Sequence, residues 1–271
     1  MERTGFLAEM YEAARARAAL VREAHPRRPQ PRPSGPSFID ALRHPRHGGL
    51  AVIAEIKRAS PSKGVLAADL DAAAQAAAYQ AGGADAVSVL TEPQRFHGSL
   101  DDLRAAVGAC DLPVLRKDFL VDECQVWEAS AAGAAAVLLI VALLETDRLV
   151  WLYDEAHELG LDVLLELHDE HDVEVAQMLA APLVGINNRD LGTLRVDLAT
   201  TERLAALLRP AGDERVIVAE SGIVSGDDAR RMRRAGASAV LVGEALVRDA
   251  GASTLGERVD ALRGEEGRGS R

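Results

Sequence analysis

Glu55 and Lys57 stand two residues apart, where the apolar run LAVIA (50–54) gives way to polar residues. Opposite charges at that spacing project to the same side of an extended chain. Burying them is costly unless they are paired or used. A charged pair at the exit of so apolar a strand therefore predicts a site rather than a core. Ser60-Pro61-Ser62-Lys63-Gly64 follows, with hydroxyls, a rigid turn, a cation and a flexible exit. Such a loop suits an anionic ligand. The pattern of apolar run and then polar residue recurs: Lys117 in LRKDF, Glu166 in LLELH, Asn187 and Arg189 in GINNRD, Glu220 in VAESGI. Brought to one low-dielectric mouth, the cations Lys57, Lys117 and Arg189 and the acids Glu55, Glu166 and Glu220 would shift one another's pKa values and hold general acids and bases ready. Ser221-Gly222 and Gly243 add backbone N–H groups of the kind that approach phosphate oxygens closely.

The elements that must position these residues follow a rhythm from residue 50 onward. Strand-like apolar runs at 50–55, 86–90, 113–115, 136–141, 162–166, 183–187, 216–220 and 239–242 alternate with helical runs near 70–81, 100–107, 123–132, 146–159, 170–179, 200–208, 226–235 and 255–262. Near-continuous Val/Ile/Leu runs mark strands buried on both faces. Units of this size fit an α/β fold, the (β/α)8 TIM barrel of about 250 residues, in which chemistry lies where strands end and βα loops begin. In such barrels the loops after strands seven and eight often hold phosphate. A doubly wound open sheet is the structural alternative, but no G-x-G-x-x-G turn follows the first strand.

Upstream, Phe6, Met10, Ala13 and Leu20 recur at helical spacing, with Leu7, Tyr11, Ala14, Ala18 and Val21 beside them and the stem of Arg17 along the stripe. The spacing predicts an amphipathic N-terminal helix covering one end of the main domain, with a mobile arm as the alternative. Residues 25–36, rich in Pro and Arg, read as a surface linker, and 38–42 as a second short helix. The expected organisation is a single TIM-barrel domain over 1–271: an N-terminal helical extension and linker at 1–48, the barrel at 49–263 and a frayed polar tail at 264–271. His168, Glu170 and His171 open a metal-site reading, but HDEH at a helix start reads better as capping and surface. Trp127 and Trp151 read as packing residues on helices.

Apolar residues make up 48% of the 271, enough for a full core, while aromatics are only 3%, so Ala, Val and Leu must do most of the packing. The formal net charge of −11 argues against general nucleic-acid binding and against an acidic membrane surface. Any anionic ligand must be met by local cations. Cys110 and Cys124 fall in no metal-ligand spacing and form no disulfide framework, which predicts a cytoplasmic protein. The start lacks a signal h-region, and the apolar run at 131–144 is too short to span a bilayer. A monomer is expected, with a weak homodimer as the alternative.

AEIKRASPSKG, LTEPQRFHGSL, LPVLRKDF, GINNRDL, VAESGI and VLVGEALVR resemble, in order, the motif series of the indole-3-glycerol phosphate synthase family, over about residues 38–262. The amphipathic N-terminal helix is similar to that family's extra helix over the barrel mouth. The resemblance implies a carboxy-lyase of tryptophan biosynthesis. It would close, decarboxylate and dehydrate 1-(2-carboxyphenylamino)-1-deoxyribulose 5-phosphate to indole-3-glycerol phosphate, with no metal and no cofactor. It implies Lys117 as general acid, Glu55 as its positioning partner and Glu166 as base. Lys57 and Arg189 would face the benzoate carboxylate, Lys57 also serving as acid in the dehydration, and Asn187 and Glu220 would position the sugar hydroxyls and the lysines. Phe96, Phe119, Leu138 and Leu191 would wall an aryl slot. Ser60, Ser221, Gly222 and Gly243 would hold the phosphate, with Glu244 contributing only its backbone N–H and its side chain turned away. Two rivals remain on the residues alone. A phosphosugar isomerase such as phosphoribosylanthranilate isomerase would need a Cys/Asp pair at strand exits. A non-catalytic phosphosugar-binding barrel would let Lys117 or Glu166 be replaced freely.

Overall fold

Runs of Val, Ile, Leu and Ala, too apolar to leave either face wet, become the wall of a closed parallel barrel. The computed structural model describes residues 5–24, 27–31, 35–61, 63–208, 214–247 and 253–264. Among these, eight strands close in the order of the chain: Ala51–Ile56, Ala86–Leu90, Val114–Lys117, Ala136–Ile140, Asp162–Leu167, Leu183–Asn187, Val216–Glu220 and Ala239–Val242. The first strand pairs with the last, Ala51 opposite Ala239 and Ala54 opposite Val242, which seals the seam. The architecture is the expected TIM barrel.

The helices between strands start where the sequence supplies caps. Asp71, Ser99, Asp122, Asp169, Ser225 and Thr254 each accept a backbone N–H of the turn they open, each cap being worth about 1 kcal/mol. With few aromatics available, Ala72, Ala76 and Ala229 let helices sit close on the sheet.

Strand ends differ from expectation by a residue or two, with consequences for the site. The third strand continues through Arg116 and Lys117. Arg116 is neutralised there by Glu128 at 2.9 Å and Asp118 at 3.2 Å, so charge does not end the strand. The fourth strand stops at Ile140 and turns into a short 3-10 segment, Val141–Leu143. A two-stranded hairpin, Ala59–Ser60 with Gly64–Val65, stands where a plain loop was expected.

The N-terminal helix, Gly5–Ala24, buries Met10, Ala14 and Ala18. Leu20 leaves this face and is 68% exposed, because the buried stripe runs at i, i+4 and residue 20 lies off it. The helix is tied to the loop after the third strand by the two-pronged pair of Arg17 with Asp118 (2.8 and 3.2 Å) and by Arg22 with Asp122. Trp151 is 56% exposed and packs little, whereas Trp127 is half-buried and donates to Glu155. The expected tail lies outside the described residues except for Gly264.

The opposite end of the barrel carries a buried lock. Arg263 donates to Asp85 at 3.0 Å, and Asp85 also accepts from the backbone of Arg46 and Val52, both at 2.9 Å. Arg263 and Asp85 are 3% and 2% exposed. Asp85→Ala is expected to cost about 3 kcal/mol, because it strands a buried guanidinium. Urea unfolding at neutral pH checks this, and a loss under about 1 kcal/mol would contradict it.

Candidate active site

Period-two alternation turns one residue of each strand end inward, and at the carboxyl rim these inward positions hold the polar residues. Every site residue named from sequence lines one cavity of about 490 Å3: Lys117, Glu166, Glu55, Lys57, Asn187 and Glu220; Arg189, Ser60, Phe96, Phe119, Leu138 and Leu191; Ser221, Gly222, Gly243 and Glu244. That volume falls in the usual small-molecule range of roughly 300–1,000 Å3. Phe6, Leu194 and Val196 also line it, unforeseen from sequence. Ser88 and Thr91, at the second strand end, do not. Thr91 donates instead to Asp118 at 2.8 Å.

Lys117 is the hub. Its Nζ pairs closely with Glu220 Oε2 and lies 3.5 Å from Glu166 Oε2. Burial works against its charge, yet Glu220, Glu166 and Glu55 together raise its pKa above the ordinary lysine range. The flanking carboxylates thus keep Lys117 an ammonium rather than bringing it near neutrality. It enters any reaction holding its proton. Lys57 pairs with Glu55.

Glu220 and Glu166 are pushed apart. Burial, with Glu166 and Glu55 adding repulsion, raises Glu220 to about 7 despite Lys117. Its Oε1 has no hydrogen-bond partner among the described residues and lies so near Gly185 that a Cβ there would collide with it. Gly185 is therefore the clearance that lets Glu220 fit. Burial alone would raise Glu166, but Lys117, His168 and Asn187 hold it down to about 2. Asn187 donates to Glu166 Oε1 at 3.1 Å and accepts the Arg189 N–H at 3.0 Å, so it links base and cation. Arg189 is held by the Leu194 carbonyl at 2.9 Å.

The apolar side is built from Phe119, Phe96 and Phe6. Phe6 meets Phe119 edge-on at 6.0 Å between centroids, and Phe96 stands 6.3 Å from it. Leu138 and Leu191 complete the apolar lining. Asp118 fixes the Phe119 backbone by accepting its N–H at 2.8 Å. Arg116 and Arg17 outweigh burial and hold the Asp118 carboxyl below the usual range.

At the far side, Ser221 and Gly222 both adopt positive φ, 64° and 81°. The Ser221 conformation costs about 1 kcal/mol or more in a non-glycine residue, and such strain collects at ligand sites. Asn188, whose part sequence reasoning missed, donates to the carbonyls of Glu220 and Ser221 at 3.0 and 3.2 Å and holds the turn. Gly243 offers bare backbone, and a Cβ on it would stand 2.8 Å from Glu55 Oε1. The Glu244 carboxylate pairs with Lys63 of the first loop.

His168 departs from the surface reading. Its side chain is 13% exposed, with Nε2 3.2 Å from Glu166 Oε1 and Nδ1 3.8 Å from Asp172 Oδ2. Burial opposes its charge, but Asp172 and Glu166 raise it to about 10. His171 is exposed and Glu170 pairs with Arg203. No cluster of metal-ligating side chains occurs among the described residues. Neither cysteine lines the cavity: Cys124 donates to the Ala18 carbonyl under the N-terminal helix, and Cys110 ends a helix.

The family model for indole-3-glycerol phosphate synthase matches residues 7–257. A Nocardioides protein of that name is 55% identical over 233 residues, 86% of this chain and 84% of its own. One from Desulfosudis oleivorans is 51% identical over 212 residues, covering 78% and 80%. One from Halalkalibacterium halodurans is 46% identical over 231 residues, covering 85% and 87%.

Proposed function

The chain belongs to the indole-3-glycerol phosphate synthase family, and from that premise we propose how its rim residues divide the reaction. The activity is a carboxy-lyase reaction of tryptophan biosynthesis: 1-(2-carboxyphenylamino)-1-deoxyribulose 5-phosphate gives indole-3-glycerol phosphate, carbon dioxide and water. The observation that carries the assignment of roles is the Lys117 ammonium, set between Glu220 and Glu166 beside the aromatic slot.

The aryl ring lies between Phe96, Phe119, Leu138 and Leu191, which holds its carboxylated carbon against the ribulose carbonyl. As the C–C bond forms, the carbonyl oxygen takes a proton from Lys117. The C–CO2 bond then breaks and its electron pair restores the aromatic ring. Loss of the new hydroxyl as water needs a second proton, which Lys57 supplies. The resulting cation makes the adjacent ring C–H acidic, so Glu166, though a weak base, removes that proton. Glu55 positions the lysines, and Asn187 and Glu220 hold the sugar hydroxyls. Arg189 and Lys57 face the benzoate carboxylate. Ser60, Ser221, Gly222, Gly243 and the Glu244 N–H take the phosphate, with the Glu244 carboxylate occupied by Lys63.

The reaction needs no cofactor in this scheme. Indole fluorescence should rise on mixing enzyme with the carboxyphenylamino substrate in excess chelator. No rise, or dependence on added metal, would overturn it. Arg189→Ala should raise KM about thirtyfold with kcat changed less, since a charged hydrogen bond to the carboxylate is worth about 2 kcal/mol. Equal affinity of mutant and parent for a substrate analogue would contradict that role.

A monomeric, cytoplasmic enzyme completes the proposal. Two unpaired thiols support the compartment. The oligomeric state is the second point: exposed Met178 and Leu207 lie on neighbouring helices joined by Gln177, which donates to the Leu207 carbonyl at 3.1 Å, while Leu20 and Trp151 lie on other helices. Sedimentation equilibrium decides the second point.

A further inference from the structure

We propose that His168 is a positioning residue for Glu166: its imidazole, with the Asn187 amide, fixes Oε1 and leaves Oε2 as the oxygen that takes the substrate proton. Nδ2 of Asn187 donates to Oε1 at 3.1 Å, and Nε2 of His168 lies in ion-pair contact with the same oxygen at 3.2 Å without the alignment of a hydrogen bond, while Oε2 alone faces Lys117, at 3.5 Å. The two oxygens of one carboxylate thus have different neighbours, and only one is turned toward the reacting centre.

The ring is itself held from behind. Asp172, 1% exposed, accepts the His168 backbone N–H at 2.8 Å and stands 3.8 Å from Nδ1. The N–H of Asp172 is in turn taken by the cap residue Asp169 at 3.0 Å. The helix start thus anchors the backbone of His168 and places a second carboxylate beside its ring. An enclosed polar ring is costly unless it is used. Glu166 lines the reaction cavity, whereas His168 lines a second cavity of about 550 Å3 that shares Asn187, Leu191 and Val196 as a wall. His168 stands between them, so Oε1 meets the Asn187 amide as a donor and the edge of the imidazole as a neighbouring charge. Fixed donors need no reorganisation during the step, and a base misplaced by about 1 Å can lose about a hundredfold in rate.

This inference rests on the reading of Glu166 as base, and the experiment separates the two. His168→Phe, His168→Gln, Glu166→Gln and the double variant Glu166→Gln/His168→Phe are compared in steady state. Rapid mixing follows carbon dioxide and indole fluorescence separately. His168→Phe should lower kcat about thirtyfold with KM within about twofold, and carbon dioxide should appear ahead of indole, because only the final proton removal is slowed. His168→Gln, which retains a donor, should return to within about fivefold of the parent. The double variant should be no slower than Glu166→Gln, as expected of residues acting as one unit. Parental kcat in His168→Phe, equal slowing of carbon dioxide and indole, or losses that multiply in the double variant would each overturn the positioning role. Parental kcat in Glu166→Gln would overturn the base and this role together. Should His168→Phe fail to fold, His168→Asn, too short to reach Glu166, carries the same comparison.

Discussion

Lys117→Ala is expected to lower kcat by about a thousandfold, with KM within about threefold and the fold retained, because a proton donor acts chiefly in the transition state. The substitution removes the ammonium that lies between Glu220 and Glu166. Without it the developing alkoxide lacks its positioned proton donor, so formation of the C–C bond, and with it the loss of carbon dioxide, is slowed. In a single turnover carbon dioxide and indole should be slowed together. Of the carboxylates left behind, Glu220 responds by taking up a proton, which burial already favours. That uptake limits the cost to stability. Circular dichroism and a phosphate-analogue titration should match the parent. Retention of wild-type turnover in purified Lys117→Ala would refute the assignment.

Glu166→Gln is expected to be nearly as slow, by about several hundredfold, but to fail at a different point. The amide keeps the volume and an oxygen for Asn187, so ring closure and decarboxylation should proceed. One equivalent of carbon dioxide should be released before any indole fluorescence develops. A carboxylate held down to about 2 stays ionised throughout the working pH range, so the parent's base is always ready, and raising the pH should not rescue the variant. Simultaneous appearance of carbon dioxide and indole, at the parental rate, would remove Glu166 from the dehydration.

The strands, their order and the inward-facing residues were legible because apolar runs report burial and period two reports direction. The same rule that placed Lys57 beside Glu55 applies two residues past Glu166 and past Asn187. It puts His168 and Arg189 on the inner side of the rim. Arg189 is legible by its place in GINNRD, whereas the cap-like HDEH sequence points His168 to the surface. Asn188 was invisible for another reason: it serves by gripping backbone carbonyls of the next strand's turn, a contact no local spacing encodes. Asp118 likewise owes its place to Arg17, 101 residues earlier. Trp151 and Leu20 mark the limit of reading apolarity as burial, since a large hydrophobic residue is not obliged to be inside.

The seam between Ala51–Ile56 and Ala239–Val242 sets a timetable during synthesis on the ribosome. The earliest strand made must wait for the latest before one of its edges is satisfied. At typical elongation rates that wait is roughly ten to forty seconds. Throughout it an entirely apolar hexamer but for Glu55 offers unpaired N–H and C=O groups to any neighbouring nascent chain. Arg263, which ties the closing turn to Asp85, emerges later still. The carboxylate that later serves the reaction is, in that interval, the sole charge on the open strand and its one guard against sticking to another copy.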